Sequence, residues 1–326
     1  CMRCVCQFCH SFQNWHTQRM QFHVRQKDGG TIIVDGGRAV KRNLKAEGFL
    51  SAGVYPSWHP TENLLAYSLN STKQYFHSKG ADKTEVVDSG SDIMLYDPAA
   101  NTARLILSDS TKLETFPCWS PDGRWLYYAE ADIDSLPVKR EIDFGVHYDQ
   151  LLYNLKRMPF DAATRTFGQS ETVVDAASRL KSATFPRVSP DGRLMLFTLA
   201  SFGQFHIWHR DADLCLMDLA SGEWAPIEAV NSSEAESYHS WSSSGRWIVF
   251  SSRRGDGAYT RLYLAWFDSC GKAHKPFVLP QEDPGLYDRL FKSYNIPEFT
   301  VDPVTTSPKR LLGTVKGQSL QAVRIY

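Results

Sequence analysis

Four stretches of the chain, beginning at residues 54, 115, 184 and 237, share one alternation of apolar and polar positions. Each reads as a strand, a polar turn and a second strand that is almost unbroken in its apolar character. The second strands include Trp125-Leu-Tyr-Tyr128, Leu194-Met-Leu-Phe197 and Trp247-Ile-Val-Phe250. Runs of this kind suit strands covered on both faces. The turns carry Pro121-Asp122-Gly123 and Pro190-Asp191-Gly192. Pro presets φ there, Asp bonds locally and Gly accepts a positive φ. In the first stretch Thr61-Glu62-Asn63 takes that place, and Asn63 is expected to adopt the positive φ. A third strand follows each unit, as in Asp92-Ile-Met-Leu-Tyr-Asp97 and Asp213-Leu-Cys-Leu-Met-Asp218, and a fourth follows that, as at 102–107. Repeated units of four short antiparallel strands predict a β-propeller.

The flanks extend the pattern. Residues 18–50 read as a further set of strands, with Gly29-Gly30 and Gly36-Gly37 at the turns. Within it Met20, Phe22 and Val24 fall on one face and Gln21, His23 and Arg25 on the other. Residues 294–303 open a last unit whose turn motif is degenerate. One short helix is expected near 283–291, with Asp283 as cap and Pro284 at its first position. Residues 318–325 are expected to close the ring near the N-terminal strands.

Composition narrows the classes. The 326 residues carry 36 Lys plus Arg and 36 Asp plus Glu, so there is no positive field for nucleic acid. No run of about 18 apolar residues exists, so no helical membrane span is expected and any membrane association is peripheral. Aromatic residues make up 13%, a load that strands carry readily.

Seven cysteines stand at 1, 4, 6, 9, 118, 215 and 270. The last three lie singly and are expected to be buried small hydrophobes. The cluster ends in Cys6-Gln7-Phe8-Cys9-His10, the C-x-x-C-H pattern of covalent c-type haem attachment. Two thiols so spaced reach the two vinyl groups on one side of the macrocycle, and the adjacent imidazole reaches the iron. His10 is therefore the expected iron ligand, with Met20 favoured over His23 for the distal position. Other readings of the cluster stay open: a zinc knot, a redox dithiol or a disulfide. The chain begins at Cys1 without a charged-then-apolar leader. This is expected of an exported protein whose signal has been removed, or of a piece of a longer chain.

Connections between second and third strands are expected as loops at 70–90, 130–148, 199–212 and 252–259. In a propeller such loops share one face. Tyr75, Phe76, His77, His147, Phe205, His206, Trp208 and His209 fall in them and predict a surface for a protein or glycan partner. His77, His147 and His209 are a weaker candidate for a metal. No Gly-x-Ser-x-Gly elbow, phosphate loop or dinucleotide fingerprint is present, so a binding role is favoured over an enzymatic one.

The repeated Pro-x-Trp-Ser-Pro-Asp-Gly-Arg and Asp-Ile-x-Leu-x-Asp elements resemble the TolB-like propeller family, relatives of the WD-type repeats. The resemblance covers residues 18–326 and implies an all-β, six-bladed β-propeller of four-stranded antiparallel blades. Residues 1–17 would form a separate Cys-rich segment. Together with the haem motif running into Ser11-Phe-Gln-Asn14, the chain resembles a group of exported bacterial propeller proteins. That resemblance implies a periplasmic or envelope-associated binding or scaffold protein carrying haem c for electron transfer or structure. The alternative is a haem-free interaction module with a disulfide or metal at the Cys cluster.

Overall fold

The turn motif builds itself from its own side chains. Ser120 Oγ donates to Asp122 Oδ1 at 2.6 Å and accepts from Trp125 N at 3.0 Å. Asp122 Oδ1 also accepts from Arg124 N at 3.0 Å. Ser189, Asp191, Arg193 and Leu194 repeat the same bonds. Consecutive turns also nest. A Cβ on Gly123 would lie 2.4 Å from the His59 ring, and φ there is +71°, so this position suits Gly twice over. In the first turn Asn63 is not the residue that makes the bend. His59 Nδ1 accepts from Glu62 N at 2.9 Å instead, so an imidazole does the work of the serine and aspartate.

The structure is a computed structural model and describes residues 10–25, 29–77, 84–138 and 141–326. The first sheet is a meander of β1 (His10–Gln13), β2 (His16–Val24), β3 (Gly30–Asp35) and β4 (Arg38–Asn43). The second is β5 (Val54–Trp58), β6 (Leu65–Phe76), β7 (Thr84–Asp97) and β8 (Thr102–Leu107). The third is β9 (Lys112–Trp119), β10 (Trp125–Asp132) and β11 (Tyr153–Asp161), with its outer edge divided between β12 (Thr166–Phe167) and β13 (Glu171–Val174). The fourth is β14 (Ser182–Val188), β15 (Leu194–Ala200), β16 (Asp213–Asp218) and β17 (Trp224–Pro226). The fifth is β18 (Glu236–Trp241), β19 (Trp247–Ser252), β20 (Arg261–Trp266) and β21 (Phe277–Val278). The first sheet starts at His10, inside the segment expected to stand apart, because Ser11 and Gln13 are buried against its neighbours.

Strands β1, β5, β9, β14 and β18 touch in succession, so the five sheets stand side by side around an axis with these strands innermost. Tryptophans stitch the inner strands together. Trp58 Nε1 donates to Ser11 O at 3.3 Å, Trp241 Nε1 to Arg187 O at 3.0 Å, and Trp15 Nε1 to Trp241 O at 2.7 Å. The last of these crosses from the first sheet to the fifth and closes the ring.

Residues 294–303, expected to open a sixth unit, carry no ladder. They fill the gap between β18 and β1 through isolated bonds: Ser251 Oγ to Asn295 O, Ser240 Oγ to Pro297 O, and Val301 N to Trp15 O. Pro297 and Pro303 lack the N–H a ladder needs. The described residues thus form five four-stranded meanders and do not establish the sixth.

Among the described residues three α-helices interrupt the strands. α1 (Glu141–Val146) lies in the connection at 130–148. α2 (Leu286–Arg289) is the short helix expected near 283–291, but it starts two residues past Pro284 and its cap is Gly285; Asp283 Oδ1 accepts from Gly285 N at 2.9 Å in the turn before it. α3 (Pro308–Lys316) was not foreseen. Its signal is Ser307, whose side chain accepts from Arg310 N, followed by Pro308 in the first turn. Leu311 and Val315 of α3 pack on the buried Met20, Ile32 and Val34. Beyond it, β22 (Leu320–Gln321) adds in parallel to β4 and β23 (Val323–Arg324) in parallel to β8. The C-terminal segment therefore closes on the first sheet, as expected, and on the second as well.

Two further expectations change. The described part of 70–90 is not a loop. It extends β6 and β7 into a paired arm from Thr72 opposite Asp88 to Phe76 opposite Thr84, because Thr72, Thr84, Val86 and Val87 favour the pleat. Cys118 and Cys215 are buried as expected, but Cys270 is exposed, since it sits in the turn closed by its own N–H on Asp268 Oδ1.

Candidate functional site

The inner strands place one aromatic each at equivalent positions: Tyr55, Phe116, Phe185 and Tyr238. All four have positive φ, at 49°, 55°, 59° and 48°. Each lies where its strand slips register against the next, and the bulge turns the ring onto the axis. The rings meet there, Tyr55 to Phe116 at 4.5 Å, Phe116 to Phe185 at 4.4 Å and Phe185 to Tyr238 at 5.1 Å between centroids. They form a plug that divides the axis into two openings.

The wider opening holds about 550 Å³. Tyr55, Phe205, Trp208, Tyr238 and Tyr294 supply aromatic walls, and Arg25 and Lys73 supply charge, with Lys73 Nζ 3.2 Å from Glu141 Oε1. No carboxylate occurs among the described residues that line it. Of the partner surface read from the sequence, Phe205 and Trp208 are here. Phe76, largely exposed, and Tyr75 belong to the β6–β7 arm, with Tyr75 packed over Gly145. His77 faces the Tyr148 ring at 5.0 Å, and His147 Nδ1 lies 3.1 Å from Gln150 Nε2.

His206 and His209 are scaffold rather than surface. His206 is buried with Nε2 2.9 Å from Gly203 O and Nδ1 3.0 Å from Thr184 Oγ1, and burial pushes its pKa down to about 3. His209 Nε2 approaches Glu85 Oε2 at 3.0 Å, both side chains being nearly inaccessible. This buried pair ties the β6–β7 arm to the 199–212 connection. The three-histidine metal expectation finds no matching group among the described residues. Arg25, Lys73, Tyr55, Tyr238 and Tyr294 were not foreseen. The aromatic-Pro repeats at Tyr55-Pro56, Phe116-Pro117 and Phe185-Pro186 were the available signal.

Beside the arm, Asp88 is fully buried and accepts from Asn70 Nδ2 at 2.6 Å and Thr72 Oγ1 at 2.5 Å. Burial nonetheless pushes its pKa up to about 6, against an ordinary value of 3.8. A raised carboxyl pKa means the folded state holds the proton that the unfolded chain has lost, so folding is favoured as the pH falls from about 7 to about 4. Urea titrations should show wild-type stability gaining on that of Asp88→Asn by up to about 3 kcal/mol across this window. A difference independent of pH would refute the assignment.

The narrower opening holds about 140 Å³, at the ends of the inner strands. Trp15, Trp58, Trp119, Trp241 and Phe299 wall it, and Arg187 and Glu298 line it. Burial raises the Glu298 pKa to about 8, while Arg187 pulls it down. His10 Nε2 lies 3.4 Å from Glu298 Oε2.

Cys6 and Cys9 lie outside the described residues. His10 opens β1 opposite Phe22, its side chain is 39% exposed, and burial of the remainder lowers its pKa. Met20 pairs with Phe12 on the same face as His10, enclosed by Ile32 and Val34. His23 lies on the other face, Nδ1 3.1 Å from Thr31 Oγ1, with its pKa lowered to about 4 by burial.

No protein-family model and no curated protein matches the sequence. Solved structures do match. A TolB-type protein from Agrobacterium tumefaciens aligns over 83% of this chain and 80% of its own, with a TM-score of 0.52 at 17% identity. The fold is that of a TolB-like β-propeller. An oligogalacturonate lyase in complex with manganese aligns over 84% of this chain and 65% of its own, with a TM-score of 0.51 at 14% identity. The TolB-like propeller here thus has its inner strands on the axis and its second-to-third strand connections around the wider opening.

Proposed function

We propose that this TolB-like propeller is an exported, periplasmic or envelope-associated binding module that takes its partner at the wider axial opening. The observation that carries the reading is the character of that cavity: about 550 Å³, aromatic walls, two basic side chains and no carboxylate among the described lining. Aromatic faces stack on the C–H faces of sugars or on apolar side chains, and Arg and Lys pair with acidic groups. An acidic glycan fits this chemistry best, and an acidic loop of a protein partner is the alternative. Calorimetry with oligogalacturonate and with other uronic-acid oligosaccharides should detect binding. Trp208→Ala and Lys73→Ala should each weaken it about tenfold or more, the range of one lost stacking or charge-assisted contact. Binding that both variants leave intact would place the ligand elsewhere and sink the reading.

The same proposal includes a c-type haem on Cys6 and Cys9 with His10 as its iron ligand. The described residues suit this. Burial holds the imidazole in the neutral form that ligates, and part of the ring reaches solvent. The Glu298 carboxyl beside Nε2 would have to yield that position. Met20 supplies a distal sulfur only by leaving its contacts with Ile32 and Val34, so the proposal rests on His10 alone. When bound, such a group supplies one-electron transfer. The protein's part is to hold the imidazole on β1, keep it neutral and position Glu298 beside it. Protein produced with a c-type maturation system should carry a covalent haem adduct by mass spectrometry. Cys6→Ala with Cys9→Ala should abolish the adduct, whereas Cys118→Ala, Cys215→Ala and Cys270→Ala should not. No adduct on the wild-type chain would leave the binding module without a haem.

A further inference from the structure

The narrower opening is a separate chamber. Along β5, Val54 and Tyr55 line the wide side while Pro56, Ser57 and Trp58 line the narrow one. Along β18, Tyr238 belongs to the wide side and Ser240 and Trp241 to the narrow one. The aromatic plug lies between them. What enters one chamber therefore does not reach the other without parting those rings.

Arg187 and Glu298, a guanidinium and a carboxyl, both line this chamber. They do not form an ion pair with each other. Glu298 Oε2 is buried, with His10 Nε2 3.4 Å away. The Nε1–H of Trp119, another lining residue, is buried without a partner. Buried polar groups are ordinarily satisfied, and an indole N–H left unmatched in this chamber calls for an acceptor from outside the chain. The volume is close to the roughly 150 Å³ that accommodates a molecule of about six heavy atoms in an engineered protein cavity.

We propose that this chamber binds a small zwitterion, an α-amino acid of the size of glycine or alanine. Its carboxylate pairs with the Arg187 guanidinium, and its ammonium lies against Glu298 and the tryptophan faces. The pairing follows from geometry and charge. The guanidinium fork matches a carboxylate, and an ammonium is attracted both to a carboxylate and to an indole face. A simple anion leaves Glu298 unmatched, and a simple cation leaves Arg187 unmatched. Only a ligand carrying both charges a few bonds apart answers the two together.

The test uses the full chain and four probes: glycine, L-alanine, acetate and methylammonium. Calorimetry and thermal melts in the millimolar range should show binding of glycine or L-alanine at least about tenfold tighter than either single-charge probe. Arg187→Gln and Glu298→Gln should each abolish that preference, and Trp208→Ala, in the other chamber, should leave it unchanged. The wild-type probe series decides even where a variant does not fold. Equal binding of acetate and L-alanine would mean an anion site, and absence of binding by both amino acids would mean no site. Either result overturns the proposal. Neither touches the wide opening, whose ligand is read through Trp208 and Lys73.

Discussion

Phe185→Ala should lower the stability of the propeller by about 3–5 kcal/mol, the cost of removing a buried ring from a site that cannot collapse. Phe185 is 1% exposed, and its ring meets Phe116, Tyr238 and Tyr55, the last at 5.7 Å. These partners come from three other sheets, so the hole opens where rigid blades meet and no neighbour can shift into it. The backbone gives the prediction a second edge. With φ at +59°, residue 185 sits where any side chain costs roughly 1–2 kcal/mol over glycine. In an ordinary strand glycine is worse than alanine by about 0.5–1 kcal/mol. Here Phe185→Gly should be at least as stable as Phe185→Ala. Urea unfolding of both variants checks this. A loss below about 1 kcal/mol for alanine would mean that the plug does not hold the blades.

His209→Ala should cost a comparable amount, about 3–5 kcal/mol, because it strands the Glu85 carboxylate in a dry site. Glu85 and His209 are 3% and 2% exposed, and they join the β6–β7 arm to the 199–212 connection. Removing both partners together with Glu85→Leu and His209→Leu should be far less damaging than the sum of the single changes. The excess is the coupling energy of the pair. Loss of the pair should also free the arm, so amide exchange at Thr84 and Val86 should quicken in His209→Ala. If the single and double variants were simply additive, the pair would not be the arm's anchor.

The strand order of four of the five meanders could be read from the chain, because alternation, the Pro-Asp-Gly turns and the third-strand Asp-x-x-Leu-x-Asp pattern are all local. Each turn is made by residues within five positions of one another, as the Ser120, Asp122 and Trp125 bonds show. The Ser307 cap was local in the same sense but was not read, and the cap expected at Asp283 falls instead at Gly285. The C-x-x-C-H motif was likewise visible, but its cysteines lie outside the described residues.

What the chain could not reveal is which residues meet across the axis. Tyr55, Phe116, Phe185 and Tyr238 are about 60 residues apart and converge because four bulges turn them inward. Histidines that looked like one exposed set were sorted by burial. His77 and His147 stayed on the arm side, while His206 and His209 became internal partners of Gly203, Thr184 and Glu85. Glu298 looked like one carboxylate among many until residues 294–303 closed the ring and brought it against His10, 288 positions away. Local pattern determines strands and turns, since their bonds are short in sequence. Where those strands close into a ring, tertiary packing alone decides which side chains share the low-dielectric space at its centre, and that space sets the candidate chemistry.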